Sequence, residues 1–273
     1  MESYFFVPAS KLHKIKEFQS LEIDEYIIDF EDAIKASQRN DFFLELEHLE
    51  CSKSCYLRVP LHSLLNPAQL DLSLLKSFLD KGFTRYVLPK LNSVVELEKV
   101  WKIFDTLAVD IILLIETPKL YLELLSMTFE NDGKLKGIGL GSHDFMSVIG
   151  AKHQLKNLEQ VRQNILYLAR AMETKAIDIA SMELTNETSF KEEIIDGHDK
   201  GFDGKFIIHP NQHKLLSNFQ FYSEEEYLFA LKVNKVITQL EDMKEFNPIR
   251  IDGKVIEQPH LNRVKKILKN YRI

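Results

Sequence analysis

Cysteine is scarce in this chain. Of 273 residues only Cys51 and Cys55 are cysteine, spaced C-x₃-C with no second pair. A reduced, cytoplasmic protein is the plain expectation, and a zinc site lacks a matching ligand pair. Long apolar runs are missing as well. No stretch approaches the roughly 20 apolar residues that a membrane span needs. The apolar start, Tyr4-Phe5-Phe6-Val7, is too short for a signal peptide and has no basic leader. There is no excess of cationic residues: 35 Lys+Arg stand against 41 Asp+Glu, for a net charge of −6. That balance gives no general attraction to nucleic acid or to anionic membranes, so an anionic substrate has to be met by local basic residues. No Gly-x-Gly-x-x-Gly turn follows the first apolar run, which argues against an open dinucleotide-binding sheet. No Ser-centred nucleophile elbow is present either.

What the chain does have is repetition of a simple kind. Short β-branched or aromatic runs occur at Tyr4–Val7, Tyr26–Asp29, Tyr56–Val59, Tyr86–Leu88, Ile111–Ile115, Gly137–Leu140, Ala176–Ile179 and Phe206–Ile208. Amphipathic stretches separate them; in Ser93–Leu107, for example, Val94, Leu97, Val100, Trp101 and Phe104 share one helical face. Such alternation predicts parallel strands with crossover helices. About eight units close naturally into an α/β fold of the (β/α)₈ TIM-barrel type. The barrel is expected over residues 1–220. Residues 221–273 read as a C-terminal extension that contacts a neighbouring subunit. Within it, Ser223–Leu240 predicts a helix capped by Ser223, Asn247–Val255 an extended segment with a turn at Asp252-Gly253, and a last helix starts at about Pro259.

Polar residues cluster where the predicted strands end, and in a parallel barrel these ends share one rim. Glu116 follows five apolar residues, and Asp144 follows a glycine-rich segment. They lie 144 − 116 = 28 positions apart, one strand–helix–strand step, which places them on neighbouring strands. Two carboxylates, with water and substrate filling the remaining positions, match the way Mg²⁺ is usually held; either could instead cap a helix or pair with a lysine. Glu31 and Asp32 form a second acidic pair beside Asp29, and Asp32 is also a fair N-cap for a helix beginning Ala33-Ile34. Arg58, at the end of a buried strand, needs an anionic partner: a substrate carboxylate or one of these acids. Lys90 is a candidate anion contact. Lys11, Lys14 and Lys16 are candidate phosphate contacts or an ordinary solvated face. His209 and His213 have helix-turn spacing for zinc but no nearby third ligand, so His209 is expected as a hydrogen-bonded residue at the mouth.

Taken in order, Tyr4–Ala9, Ile28–Ile34, Leu57–Val59, Leu88–Lys90, Ile115–Thr117, Gly141–Gly150, Gly201–Pro210 with Gln212, and Ile251–Pro259 span nearly the whole chain. In this set the chain resembles the citrate lyase β-subunit-like branch of the HpcH/HpaI aldolase superfamily. The resemblance implies a Mg²⁺-dependent barrel, often trimeric, acting on acyl-CoA thioesters such as citryl-, malyl- or citramalyl-CoA. It implies Glu116 and Asp144 as metal ligands, Arg58 beside the reacting carboxylate or enolate, and Glu31 and Asp32 as supports of the metal and its waters. It also implies that Glu257 enters a neighbour's site as general acid/base. The chain departs from the family pattern at Pro60, where Asn is common, and at His143, where Glu is common. It departs again at Lys119-Leu120 in place of a Gly, at Glu2 in place of an Arg, and at Glu257 in place of an Asp.

The expected reaction is reversible aldol- or Claisen-type cleavage of a β-hydroxyacyl thioester, in a homotrimer without nucleic-acid or membrane partners. Two other readings stay open at this point: a CoA-independent aldolase of small 2-oxo acids, and a non-catalytic subunit-like paralogue.

Overall fold

The computed structural model describes residues 1–32, 34–47, 54–127, 131–238 and 248–271. Cys51, Ala33 and Asn247 lie outside the described residues, and Cys55 is buried. Eight strands form β1 (Glu2–Pro8), β2 (Glu25–Asp29), β3 (Tyr56–Arg58), β4 (Arg85–Leu88), β5 (Asp110–Ile115), β6 (Leu135–Leu140), β7 (Lys175–Asp178) and β8 (Gly204–Ile207). They pair in chain order, all parallel, and β8 closes on β1 from Glu2↔Gly204 to Phe5↔Ile207. Helices run between the strands, so the architecture is the expected (β/α)₈ barrel. Each of the eight predicted runs is a strand, with Val59, Ile179 and Ile208 lying one residue beyond their strands.

The apolar runs are continuous because both faces of each strand are covered. In β5, Ile112 and Leu114 join Tyr4, Ile27, Tyr56, Val87, Ile177 and Phe206 in one cluster, the barrel's interior. Ile111, Leu113 and Ile115 belong to the larger cluster between strands and helices. Gly139 makes room for this interior layer: a Cβ there would lie 2.3 Å from the Phe206 ring. The helix predicted from Ser93 starts as expected, with the Ser93 hydroxyl accepting the Glu96 N–H at 3.3 Å. Its α-helical part ends at Trp101 and tightens into a 3₁₀ turn, Lys102–Phe104.

Charge is also buried between strands and helices. Arg162 is 1% exposed and grips Asp178 of β7 with two bonds of 2.9 Å, while its third nitrogen donates to Asp196 at 2.6 Å. Lys205 of β8, fully buried, donates to the Ile179 carbonyl at 2.9 Å and pairs with Glu193 at 3.3 Å. Three acids thus meet two fully buried cations, with Lys200 completing the set at Asp196.

The chain divides into two compact units, Met1–Ser217 and Asn218–Ile273. The second holds a helix, Glu224–Ile237, capped by Ser223 in a capping box with Glu226. It continues in a hairpin of β9 (Ile249–Ile251) and β10 (Lys254–Ile256), then a helix, Gln258–Asn270. The hairpin turn puts Asp252 at φ 49° and Gly253 at φ 79°, the left-handed pair that a two-residue hairpin loop requires. Tyr222, Val233, Ile237, Ile256, Leu261 and Val264 form this unit's own core. Among the described residues no helix is long and apolar enough to cross a membrane.

Breaking the Arg162 grip leaves Asp178 charged and buried without its main partner. Arg162→Ala is expected to lower unfolding stability by about 3–5 kcal/mol, a loss that thermal or urea unfolding reads directly. A loss below about 1 kcal/mol would mean that water reaches Asp178 in the native state.

Candidate active site

The carboxyl ends of the strands surround a cavity of about 460 Å³. One arc of its wall is charged: Asp29 at the end of β2 and Asp32 after it, Arg58 on β3, Glu116 after β5 and Asp144 after β6. The other arc is apolar, built from Phe6 and Pro8 of β1, Phe206 and Ile208 at β8, and Ala180 and Met182 beyond β7. Arg58 stands at the border, its guanidinium carbon 5.1 Å from the centre of the Phe6 ring.

Arg58 takes its anionic partners from the protein. Parallel register sets Asp29 opposite Arg58, and the Asp29 carboxylate accepts from Nε at 2.9 Å and from Nη2 at 2.6 Å. Glu31 and Asp32 each pair with the same guanidinium at 3.3 Å. The Glu31 contact is an ion pair and not a hydrogen bond, for Oε2 is buried without a hydrogen-bond partner. Asp29, not among the residues singled out from sequence, is therefore the main anchor of Arg58. Its signal was its place at the end of β2, but the pairing depends on register with a strand 29 residues away.

Glu116 is 2% exposed and accepts the Lys90 main-chain N–H through Oε2 at 2.6 Å. Its carboxyl lies over Gly141, where a Cβ would come within 2.3 Å of Oε1. Burial, then the charge of Glu31, pushes the Glu116 pKa up to about 8; Arg58 counters this and Asp144 adds to it. Burial likewise raises Glu31, with Arg58 opposing. For Asp32 burial also acts upward, but the hydrogen bond from Lys90 and the Arg58 charge outweigh it and hold the group below the usual range. Asp144 occupies the first turn of the helix Ser142–Ile149, its side chain 44% exposed.

Lys90, a candidate anion contact, donates its ammonium to Asp32 at 2.6 Å, pairs with Glu31 at 3.0 Å and lies 3.9 Å from Asp144. Its backbone is left-handed, φ 51°, unusual for a residue with a long side chain. Asp32 is no helix cap at Ile34: the next regular elements are a 3₁₀ turn at Ala36–Gln38 and a helix from Arg39 to Glu47. Lys11 lines the cavity from its exposed edge; Lys14 and Lys16 are exposed and do not. His209 and His213 do not converge. The His209 ring accepts the Asn211 N–H at 3.2 Å, and buried His213 faces the Ser3 hydroxyl at 3.2 Å. Glu257 lies in the second unit, exposed at the N-cap of Gln258–Asn270, with its N–H donating to the His260 ring at 2.9 Å.

One arrangement had no warning in the sequence. His143 stacks on His153 with ring centres 3.8 Å apart and planes 5° from parallel, while His153 Nε2 contacts the Ser142 hydroxyl at 2.8 Å. Burial lowers the pKa of both rings, so both are neutral at neutral pH. The nine residues between the two histidines carry no cue to this stacking.

Among the described residues no three His, Cys, Asp or Glu side chains converge as a ready-made metal cage. The mouth instead sets five carboxylates (Asp29, Glu31, Asp32, Glu116, Asp144) against two close cations, Arg58 and Lys90. That excess, and the neutral form forced on Glu116 in its absence, fit a hard divalent cation that takes one or two carboxylates and completes its shell with water and ligand.

Residues 2–210 match the family described as HpcH/HpaI aldolase/citrate lyase. The chain is 24% identical to the citrate lyase subunit beta of Haemophilus influenzae, over 97% of this chain and 95% of that protein. It is also 24% identical to the mitochondrial citramalyl-CoA lyase of Homo sapiens, over 95% of this chain and 82% of that one. Among solved structures, protein CitE from Mycobacterium tuberculosis in complex with magnesium, acetoacetate and coenzyme A has the same fold. Its TM-score is 0.78 at 20% identity, with 98% of this chain and 97% of that one covered.

The raised Glu116 pKa has a consequence for stability. A carboxyl that titrates near 4.5 when unfolded and about 8 when folded contributes stability below pH 4.5 that is lost as pH rises through 8. Glu116→Gln carries no such penalty. Without divalent metal, the variant should exceed wild type in stability by on the order of 1–3 kcal/mol at pH 9 and match it near pH 5. Thermal unfolding in EDTA at the two pH values decides; equal stability at pH 9 would mean that the Glu116 carboxylate is solvated.

Proposed function

The chain belongs to the HpcH/HpaI aldolase/citrate lyase family, and within it we propose a cytoplasmic, Mg²⁺-dependent carbon–carbon lyase of β-hydroxyacyl-CoA thioesters such as malyl-, citramalyl- or citryl-CoA. The observation that carries this reading is the uncompensated negative charge around Glu116 and Asp144, opposite an apolar wall. The relatives named citrate lyase subunit beta and citramalyl-CoA lyase, and the fold neighbour with bound magnesium and coenzyme A, support it.

Glu116 and Asp144 are the residues that would hold the ion. Bound there, Mg²⁺ supplies Lewis-acid stabilisation to the carboxylate and the neighbouring hydroxyl or carbonyl oxygen of the substrate. Glu31 and Asp32 offer acceptors for ordered water. Arg58, fixed by its two bonds to Asp29, presents a preorganised cation at the cavity wall, suited to the enolate oxygen of the leaving thioester. Because Asp29 fixes the guanidinium in advance, little reorganisation is needed as that charge develops. Phe206, Ile208, Ala180 and Met182 exclude water from the carbon being cleaved, which protects an enolate from stray protons. Lys11 at the cavity's edge, with exposed Lys14 three residues on, would meet the anionic tail of a CoA ester.

Asp144→Asn removes a charge from a half-exposed side chain, so the fold should survive. Mg²⁺-dependent release of the oxo acid from a panel of CoA thioesters should fall by about 10³-fold or more, because the lost group acts on the transition state. Turnover of free 2-oxo acids without CoA, and none of the thioesters, would favour the CoA-independent aldolase instead.

Glu257 is proposed as the general acid/base that one chain lends to the next in a homotrimer. Its exposed position at a helix start leaves the carboxylate available. Glu257→Ala and Asp144→Asn chains should each be inactive, and mixing them should restore part of the activity through sites built from one intact half of each. Mixed oligomers that stay inactive beside an active wild type would remove Glu257 from the reaction.

A further inference from the structure

Resting on the metal reading above, we infer that Lys90 is a resident counter-cation, which competes with the divalent ion for the carboxylates of the mouth and so sets how tightly that ion is held. The ammonium sits among the acids the ion would share: 2.6 Å from Asp32, 3.0 Å from Glu31 and 3.9 Å from Asp144. A dication held by Asp144 would lie within a few ångströms of this charge; Lys90, Asp32 and Asp144 are a third to a half exposed, so solvent screens part of the repulsion, and Glu31 is the buried member of the set. Two cations drawn to the same anions repel each other. By linkage, each weakens the hold of the other by the same factor.

The same residue acts a second time through its backbone. Its N–H fixes Oε2 of Glu116 at 2.6 Å, while its side chain crosses to the acids that follow β2. The residue that reaches both arms has a left-handed backbone, φ 51°. Strain of this kind persists where surrounding contacts overdetermine it, and here those contacts are ionic. Without the metal, Lys90 and Arg58 are the cations paired with Asp29, Glu31 and Asp32, and Lys90 also lies 3.9 Å from Asp144. Lys90 therefore stabilises the metal-free state at the expense of the metal-bound one. Arg58 also pairs with Glu31 and Asp32, but at 3.3 Å and with Asp29 holding it by two shorter bonds, whereas Lys90 approaches the same acids to 3.0 and 2.6 Å.

The test uses the full-length protein stripped of metal, with Mn²⁺ alone as a paramagnetic probe and no substrate. Lys90→Met keeps the length of the side chain and removes its charge. It should bind Mn²⁺ about tenfold more tightly, about 1.4 kcal/mol, and melt at a lower temperature in EDTA. Lys90→Arg, which keeps the charge, should stay close to wild type in affinity. A residue with only a structural role would leave affinity unchanged or weakened on removal, and either result in Lys90→Met overturns the inference. If Lys90→Met does not fold without metal, Lys90→Gln, which retains a donor toward Asp32, must show the same direction, and a weaker affinity there overturns it equally. A wild type that binds no Mn²⁺ sinks the metal reading itself, whereas a wild type that binds it beside an unchanged Lys90→Met sinks only the role of Lys90.

Discussion

Parallel strands carry all their carboxyl ends in one direction, and the β1–β8 pairing leaves no sheet edge at which an end could escape. Residues that follow strands far apart in the chain are thereby brought to one rim. Asp29, Arg58, Glu116 and Asp144 follow or end four different strands, yet they line a single cavity. The apolar runs make this possible by filling the interior below. With Phe206 set against the glycine face of β6, the floor is closed and the rim is the place left for polar side chains.

Two groups of buried charge in the first unit behave differently. Around Arg162, Asp178 and Asp196, every strong donor has a partner at hydrogen-bonding distance, and Lys205 and Lys200 balance the remaining acids. Such a set specifies the packing of helices on strands and has little left over to offer a ligand. At the mouth the balance fails. A buried carboxylate oxygen without a hydrogen bond occurs in both groups, at Glu193 and at Glu31, but at the mouth burial and the neighbouring acids also push the Glu116 pKa up to about 8. Unbalanced charge lowers stability, and it is retained where a bound ion or substrate can restore the balance. This contrast separates the candidate site from the supporting charge network without reference to any relative.

The second unit has a core of its own, a capped helix and a hairpin whose turn residues meet their steric requirement. Glu257 lies at the junction of that hairpin and the last helix. Its exposed side chain stands at the helix N-cap, outside the unit's core.

Local chemistry determined much of this protein. Eight apolar runs, the breaks between them and the polar residues that follow most of them were enough for the barrel, because strand formation and burial depend on neighbours in the chain. The same is true of Ser93 and Ser223 as caps and of the Asp252-Gly253 turn. What only the tertiary structure decided is which charges meet. Asp29 takes Arg58 through a register between strands, and the Lys90 ammonium meets the acids that follow β2. Asp32 is drawn to those cations instead of capping a helix, and His143 finds His153 across a loop. Ion pairing and pKa depend on distance and burial in three dimensions. A sequence lists the charged groups, but their partners and the water they lose are settled only when the barrel closes.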